Sequence, residues 1–129
     1  MINDFDITAL EDTVIGIIRD LGISKKVCPN RPKTSESTND FVVAKVSGEL
    51  IDRATYGECV LSIYLFAKDV DSLKNGKKLS TMYQKFIKGF PSSSGKYLFE
   101  ITPNLSSDTP DDYGYHRRLI RIQTIIKAI

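Results

Sequence analysis

Residues 58–68 read Glu58-Cys59-Val60-Leu61-Ser62-Ile63-Tyr64-Leu65-Phe66-Ala67-Lys68, the longest apolar and β-prone run in the chain. Side chains alternate across an extended strand, so Cys59, Leu61, Ile63, Leu65 and Ala67 share one face and Val60, Ser62, Tyr64 and Phe66 the other. Both sets are largely apolar, which predicts a central strand covered at least in part on both sides. A polar chain of this size rarely covers both faces of a sheet by itself, so a partner is expected to supply the second cover.

The flanking segments give this strand its neighbours. Phe41 to Gly48 reads as a strand with Val42, Ala44 and Val46 on one face and Phe41, Val43 and Lys45 on the other. Residues 49–57, with Asp52, Arg53, Thr55 and Tyr56, are long for a hairpin turn and suit a projecting β-arm that joins the two strands antiparallel. Tyr97 to Thr102 is a third strand, ended by Pro103. Tyr115 to Ile126 is the fourth, with Ile120, Ile122 and Ile126 against Arg117, Leu119, Arg121, Gln123 and Ile125.

Two segments carry helical periodicity. Thr8 to Leu21 places Leu10, Val14, Ile17, Ile18 and Leu21 on one stripe, with Thr8 and Glu11 at capping-box spacing and Gly22 fitted to the left-handed residue past the end. Between Asp71 and Phe90, Leu79, Met82, Tyr83, Phe86, Ile87 and Phe90 form a second stripe; Ser72 and Asn75 are the candidate N-caps, and Gly89 and Pro91 end the helix. The remaining segments, Ser24 to Asp40, Ser92 to Lys96 and Asn104 to Tyr113, read as polar loops. The predicted fold is therefore α+β, a single domain over residues 1–129: a four-stranded antiparallel sheet with two helices packed on one face, in α-β-β-α-β-β order.

Composition narrows the chemistry. With 41% hydrophobic and 26% charged residues over 129 positions, the chain has the balance of a soluble globular domain with a real core. The acidic start lacks the basic and apolar regions of a signal peptide, and no apolar run approaches the roughly 20 residues of a membrane helix, so a cytosolic origin and no membrane partner are expected. Cys28 and Cys59 make no disulfide framework, and with His116 as the only histidine they make no zinc site. No nucleophile with an orienting acid surrounds His116, and Asp108, Asp111 and Asp112 lack the spacing of a calcium loop. Neither an enzyme nor a cofactor is expected.

Charge is unevenly placed, although the net is only +2. Residues 1–20 hold Asp4, Asp6, Glu11, Asp12 and Asp20 against Arg19; residues 116–129 hold Arg117, Arg118, Arg121 and Lys127 with no acid. Between Asp71 and Glu100 the chain carries six lysines and no carboxylate, and Lys74, Lys78 and Lys85 on the second helix are the candidate DNA-facing residues. The basic loop residues Lys25, Lys26, Arg31 and Lys33 lack the glycines and the helix start of a phosphate loop. On the second sheet face, Tyr64, Phe66, Arg117, Leu119 and Arg121 mix apolar and basic groups in the manner of a subunit interface.

A succession of features also resembles a known family. The N-terminal amphipathic helix is followed by Arg31-Pro32, then Asp40-Phe41-Val42-Val43, then Ile63-Tyr64-Leu65-Phe66-Ala67-Lys68-Asp69, then the helix around Lys78-Leu79 and Met82, and Gly114-Tyr115-His116 opens the last strand. This order is similar to the small tail-terminator or tail-completion proteins of long-tailed phages and prophages. The resemblance implies a non-enzymatic, ring-forming homo-oligomer, typically a hexamer, with the tail tube and head–tail connector proteins as partners and DNA passing through. It also implies the host cytoplasm during assembly and then the virion tail as its location. The alternative expectation is a small nucleic-acid-binding accessory protein that uses the lysine-rich helix face.

Overall fold

The computed structural model describes residues 6–30, 39–53, 55–102 and 107–127. Asp4, Arg31, Pro32, Lys33 and Pro103, on which parts of the sequence reading rest, lie outside the described residues.

The sheet departs from the predicted four-stranded antiparallel form. Among the described residues seven strands make one curled, mixed sheet: β1 (Val27–Cys28), β2 (Asp40–Asp52), β3 (Tyr56–Lys68), β4 (Ser92–Ser94), β5 (Tyr97–Thr102), β6 (Thr109–Pro110) and β7 (Tyr115–Lys127). Their order is β1-β2-β3-β7-β5-β4, with β6 also paired to β7. The three strands that periodicity misses have only two or three residues each, and all three lie in segments read as loops. β1 makes the sheet mixed, because it runs parallel to β2, with Val27 beside Val42 and the Val42 amide donating to the Lys26 carbonyl at 2.9 Å.

β3 is the strand around which the others are arranged. It pairs along its whole length with β7 on one side, from Tyr56 opposite Lys127 to Lys68 opposite Tyr115. On the other side it pairs with β2. The β2–β3 ladder is broken by a bulge between Ser47 and Ile51, where Gly48 takes a left-handed φ of 88° that an L side chain would resist. Beyond the bulge the two strands continue into a hairpin closed by Arg53, whose amide donates to the Tyr56 carbonyl at 2.8 Å.

Helices α1 (Ile7–Asp20) and α2 (Gly76–Ile87) cover one face of the sheet. Leu10, Val14, Ile15 and Ile18 of α1 and Leu79, Met82 and Phe86 of α2 join Val42, Ala44, Leu61, Ile63, Leu65, Phe99, Ile120, Ile122 and Ile126 in one core. Fully burying one such aliphatic side chain contributes about 1.5–3 kcal/mol, so this layer supplies the main stabilisation.

The caps differ in part from the sequence reading. Asn75 caps α2, accepting from the Lys78 amide at 3.1 Å. Asp6, not Thr8, caps α1, accepting from the Thr8 amide at 2.9 Å. Glu11 does not close a capping box. It reaches across to the sheet and accepts from the Val46 amide at 2.8 Å, a group on the outer edge of β2 beyond the end of β1. Gly22 follows α1 with φ 70°, as its position past the helix end predicts.

Candidate assembly face and basic cleft

The strand register decides what the second face of the sheet displays. Phe41, Phe66 and Arg117 form one row; Val43, Tyr64 and Leu119 form the next; Lys45, Ser62 and Arg121 the third; Ser47, Val60 and Gln123 the fourth. β5 extends this face with Leu98 opposite Ile125 and Glu100 opposite Gln123. Among the described residues both helices pack on the opposite face and no helix lies over this one.

All five proposed interface residues therefore lie on the same face, but they are not equally available. Phe66 is only 3% exposed: its ring stacks on Phe41 with centroids 4.4 Å apart, and Tyr115 meets Phe41 edge-on at 5.4 Å. It belongs to a small core of its own with Phe41 and Val43, which removes it from the residues that a partner could touch. Tyr64 and Leu119 are half-buried neighbours, and Arg117 and Arg121 are exposed. Two cations bracket the Tyr64 ring, the Arg117 guanidinium at 5.0 Å and the Lys45 ammonium at 5.4 Å. Arg117 is further oriented by donating from Nε to Thr109 Oγ1 at 3.1 Å. The middle of the face is thus Tyr64 and Leu119, with Arg117 in the row on one side, Lys45 and Arg121 in the row on the other, and Val60 one row beyond.

The lysines of the α2 region divide into two groups. Lys74 does not join the others: its Nζ lies 3.2 Å from Asp108 Oδ2. Asp108 is at the same time held by Arg118, whose Nε and a terminal nitrogen donate to its two carboxylate oxygens at 2.8 and 2.9 Å. Arg118 leans over Tyr83 of α2 at 5.7 Å. The Arg118 hydrogen bonds hold the Asp108 carboxyl below its ordinary range, against a burial that pushes the other way.

Lys78 and Lys85 instead line an open cleft of about 740 Å³ beside the C-terminal end of α1. Arg19, Ser24 and Lys25 form its other side, and Asp40 stands within it, 3.0 Å from Lys78 Nζ. Folding therefore brings together four cations from two helices and a loop, which sequence separation keeps apart. The helical spacing of Lys78 and Lys85 signals half of this cleft and the basic loop cluster signals Lys25; Arg19 gives no local signal.

Two further features escape a sequence reading. His116 Nδ1 lies 2.6 Å from Asp69 Oδ1, a pair that follows from the β3–β7 register, which sets His116 opposite Ala67. The Asp111 carboxylate accepts from the Tyr113 and Tyr115 amides at 2.8 and 3.0 Å, which ties the turn before β7. Among the described residues no group of three or more His, Cys, Asp or Glu side chains is placed to hold a metal ion, and no helix is long and apolar enough to cross a membrane.

No protein-family model matches the chain, and no curated protein sequence is significantly similar to it.

Proposed function

We propose that this protein is a structural assembly subunit, a tail-terminator or tail-completion protein of a long-tailed phage or prophage that forms a homo-oligomeric ring between tail tube and head and performs no catalysis. The observation that carries the reading is the second sheet face, where Val60, Tyr64 and Leu119 lie among three exposed cations and beneath no helix among the described residues. An apolar centre with an arginine-rich margin is the composition of a protein–protein contact. The exposed acids Asp12 and Asp20 belong to α1, which packs on the opposite face of the sheet. Opposite charges on different sides of one subunit favour a head-to-tail contact, and such contacts close into rings when the rotation permits.

Light scattering across a wide concentration range, with a purified tail tube added as template, tests the reading. Assembly or tube binding that is lost on charge reversal at Arg117 and Arg121 is the expected result; a strict monomer that ignores the tube contradicts it.

A second reading has its own support. The cleft formed by Arg19, Lys25, Lys78 and Lys85 offers several cations to a phosphodiester backbone, so contact with passing DNA is the alternative or additional role.

A further inference from the structure

Of the four cations that line the basic cleft, one is already engaged by a carboxylate. Lys78 Nζ lies 3.0 Å from Asp40 Oδ2, and the Asp40 side chain is only 18% exposed. Lys25 and Lys85 are exposed and meet no carboxylate among the described residues. Arg19 donates to the Val27 carbonyl at 3.1 Å, a neutral acceptor that leaves its charge in place. Asp40 is the one acid among the lining residues; Asp20, next to Arg19 at the end of α1, is exposed but does not line the cleft.

Position within the helices separates Lys78 from the others. Arg19 and Lys85 stand in the last turns of α1 and α2, where the helix dipole itself favours a cation. Lys78 stands in the first turn of α2, where the dipole disfavours one and no acidic residue of that turn offsets it. Asp40, at the start of β2, supplies the missing anion. A phosphate group offers the same sign of charge and the same kind of oxygen acceptor, so it can take the same place. Lys78 and Lys85 are seven positions apart, about 10 Å along the axis of α2. That is the span of about three phosphates at the ~3.4 Å axial rise of one nucleic-acid strand. Among the described residues no aromatic side chain lines the cleft, so bases find nothing to stack on and only the backbone is read.

We infer that Asp40 is a built-in stand-in for one phosphate of the ligand: it holds Lys78 until a run of linked phosphates, the backbone of a nucleic-acid strand, displaces it. The inference rests on the basic-cleft reading above and adds how that site selects what it binds. A lone phosphate that replaces Asp40 trades one anion for another at Lys78 and gains little. Linked phosphates engage Lys85, Lys25 or Arg19 first, and the linkage then raises the effective concentration of the next phosphate at Lys78. The cleft thereby discriminates against single anions and favours a chain of them. Every binding event also carries the cost of parting a partly exposed ion pair, a few-fold in affinity, which suits a strand that passes through rather than one that is held.

The test uses the full chain and a fluorescent single-stranded oligonucleotide, titrated by anisotropy at several salt concentrations, with thermal melting as the check that each variant folds. Asp40→Asn keeps the shape, frees Lys78 and should tighten binding by about two- to fivefold. Asp20→Asn removes the same charge outside the cleft and should change binding less. Lys78→Ala reads the exchange with Asp40 in place: the slope of log affinity against log salt should fall by about one, because Lys78 leaves Asp40 for a phosphate. Inorganic phosphate should compete no better than sodium chloride of equal ionic strength, and inorganic tripolyphosphate less well than the unlabelled strand, which reaches from Arg19 and Lys25 across to Lys85. Asp40→Asn and Asp20→Asn tightening binding equally would make the effect one of general charge and overturn the role of Asp40. So would an unchanged salt slope in Lys78→Ala, or no tightening in Asp40→Asn while Lys85→Ala still weakens binding; in both cases the cleft reading stands. Tripolyphosphate that matches the strand overturns the strand as ligand, and inorganic phosphate that outdoes chloride overturns the need for linked phosphates. An unaltered chain that binds no oligonucleotide at low salt overturns the cleft reading, and this inference with it.

Discussion

Asp108 and Arg118 are joined by two parallel hydrogen bonds, 2.8 and 2.9 Å long, with the carboxylate side chain only 5% exposed. The pair ties the segment before β6 to β7, and Lys74 and Tyr83 link it to the region of α2. Asp108→Asn keeps the shape and removes the charge, leaving Arg118 and Lys74 without their anion. The expected cost is about 1–3 kcal/mol in chemical denaturation. Because the folded carboxyl titrates below its ordinary value, the stabilisation is present above the unfolded value of about 3.9 and is lost as pH falls through the folded one. An NMR titration of Asp108 should therefore find its midpoint below that of a model carboxylate.

The core gives a second expectation. Leu65 and Phe86 are fully buried in the same cluster, one on β3 and one on α2. Truncation of either to alanine should cost about 2–5 kcal/mol, since each leaves a cavity between sheet and helix. A loss below roughly 0.5 kcal/mol, the range of an ordinary surface substitution, would contradict the packing of α2 on β3.

Thr124 offers a change in the opposite direction. Its side chain is wholly buried on the helix-facing side of β7, and its Oγ1 has no hydrogen-bond partner among the described residues. Thr124→Val replaces the hydroxyl with a methyl of similar shape and should raise stability by about 1 kcal/mol, read from the denaturation midpoint at constant slope. A destabilised valine variant would mean that the hydroxyl is satisfied in solution.

Much of this arrangement was legible from side-chain alternation. The two faces of residues 58–68 fall where the period-two pattern assigns them, as do Phe41, Val43 and Lys45 on β2 and Arg117, Leu119 and Arg121 on β7. Strands of two or three residues carry no period, so β1, β4 and β6 were invisible, and with them the mixed character of the sheet. Partner choice was equally hidden. The spacing of Thr8 and Glu11 suggests a cap, but the Val46 amide on the open edge of β2 takes Glu11 and leaves the capping to Asp6. Phe66 reads as surface from its strand parity, yet Phe41 stacks on it from the adjacent strand. Lys74 looks like one of a series of helix lysines, yet it pairs with Asp108, thirty-four positions away.

The basic cleft makes a salt-dependent expectation. A fluorescent oligonucleotide should bind at low salt, and binding should fall steeply as salt rises and weaken when Lys78 and Lys85 are changed to alanine. Lys74→Ala should weaken binding less, because Lys74 is not among the residues that line the cleft. The assembled form is the proper sample. Absence of binding at low salt would remove the nucleic-acid role.

The central claim is that the second sheet face is covered by another copy of the same chain. Electron microscopy of the concentrated protein, alone and on purified tail tubes, tests it most directly. The account predicts closed rings in which Tyr64, Leu119 and Arg121 are buried at the contact between subunits. Rings that leave this face open to solvent, or fields of monomers with bare tube ends, would contradict it.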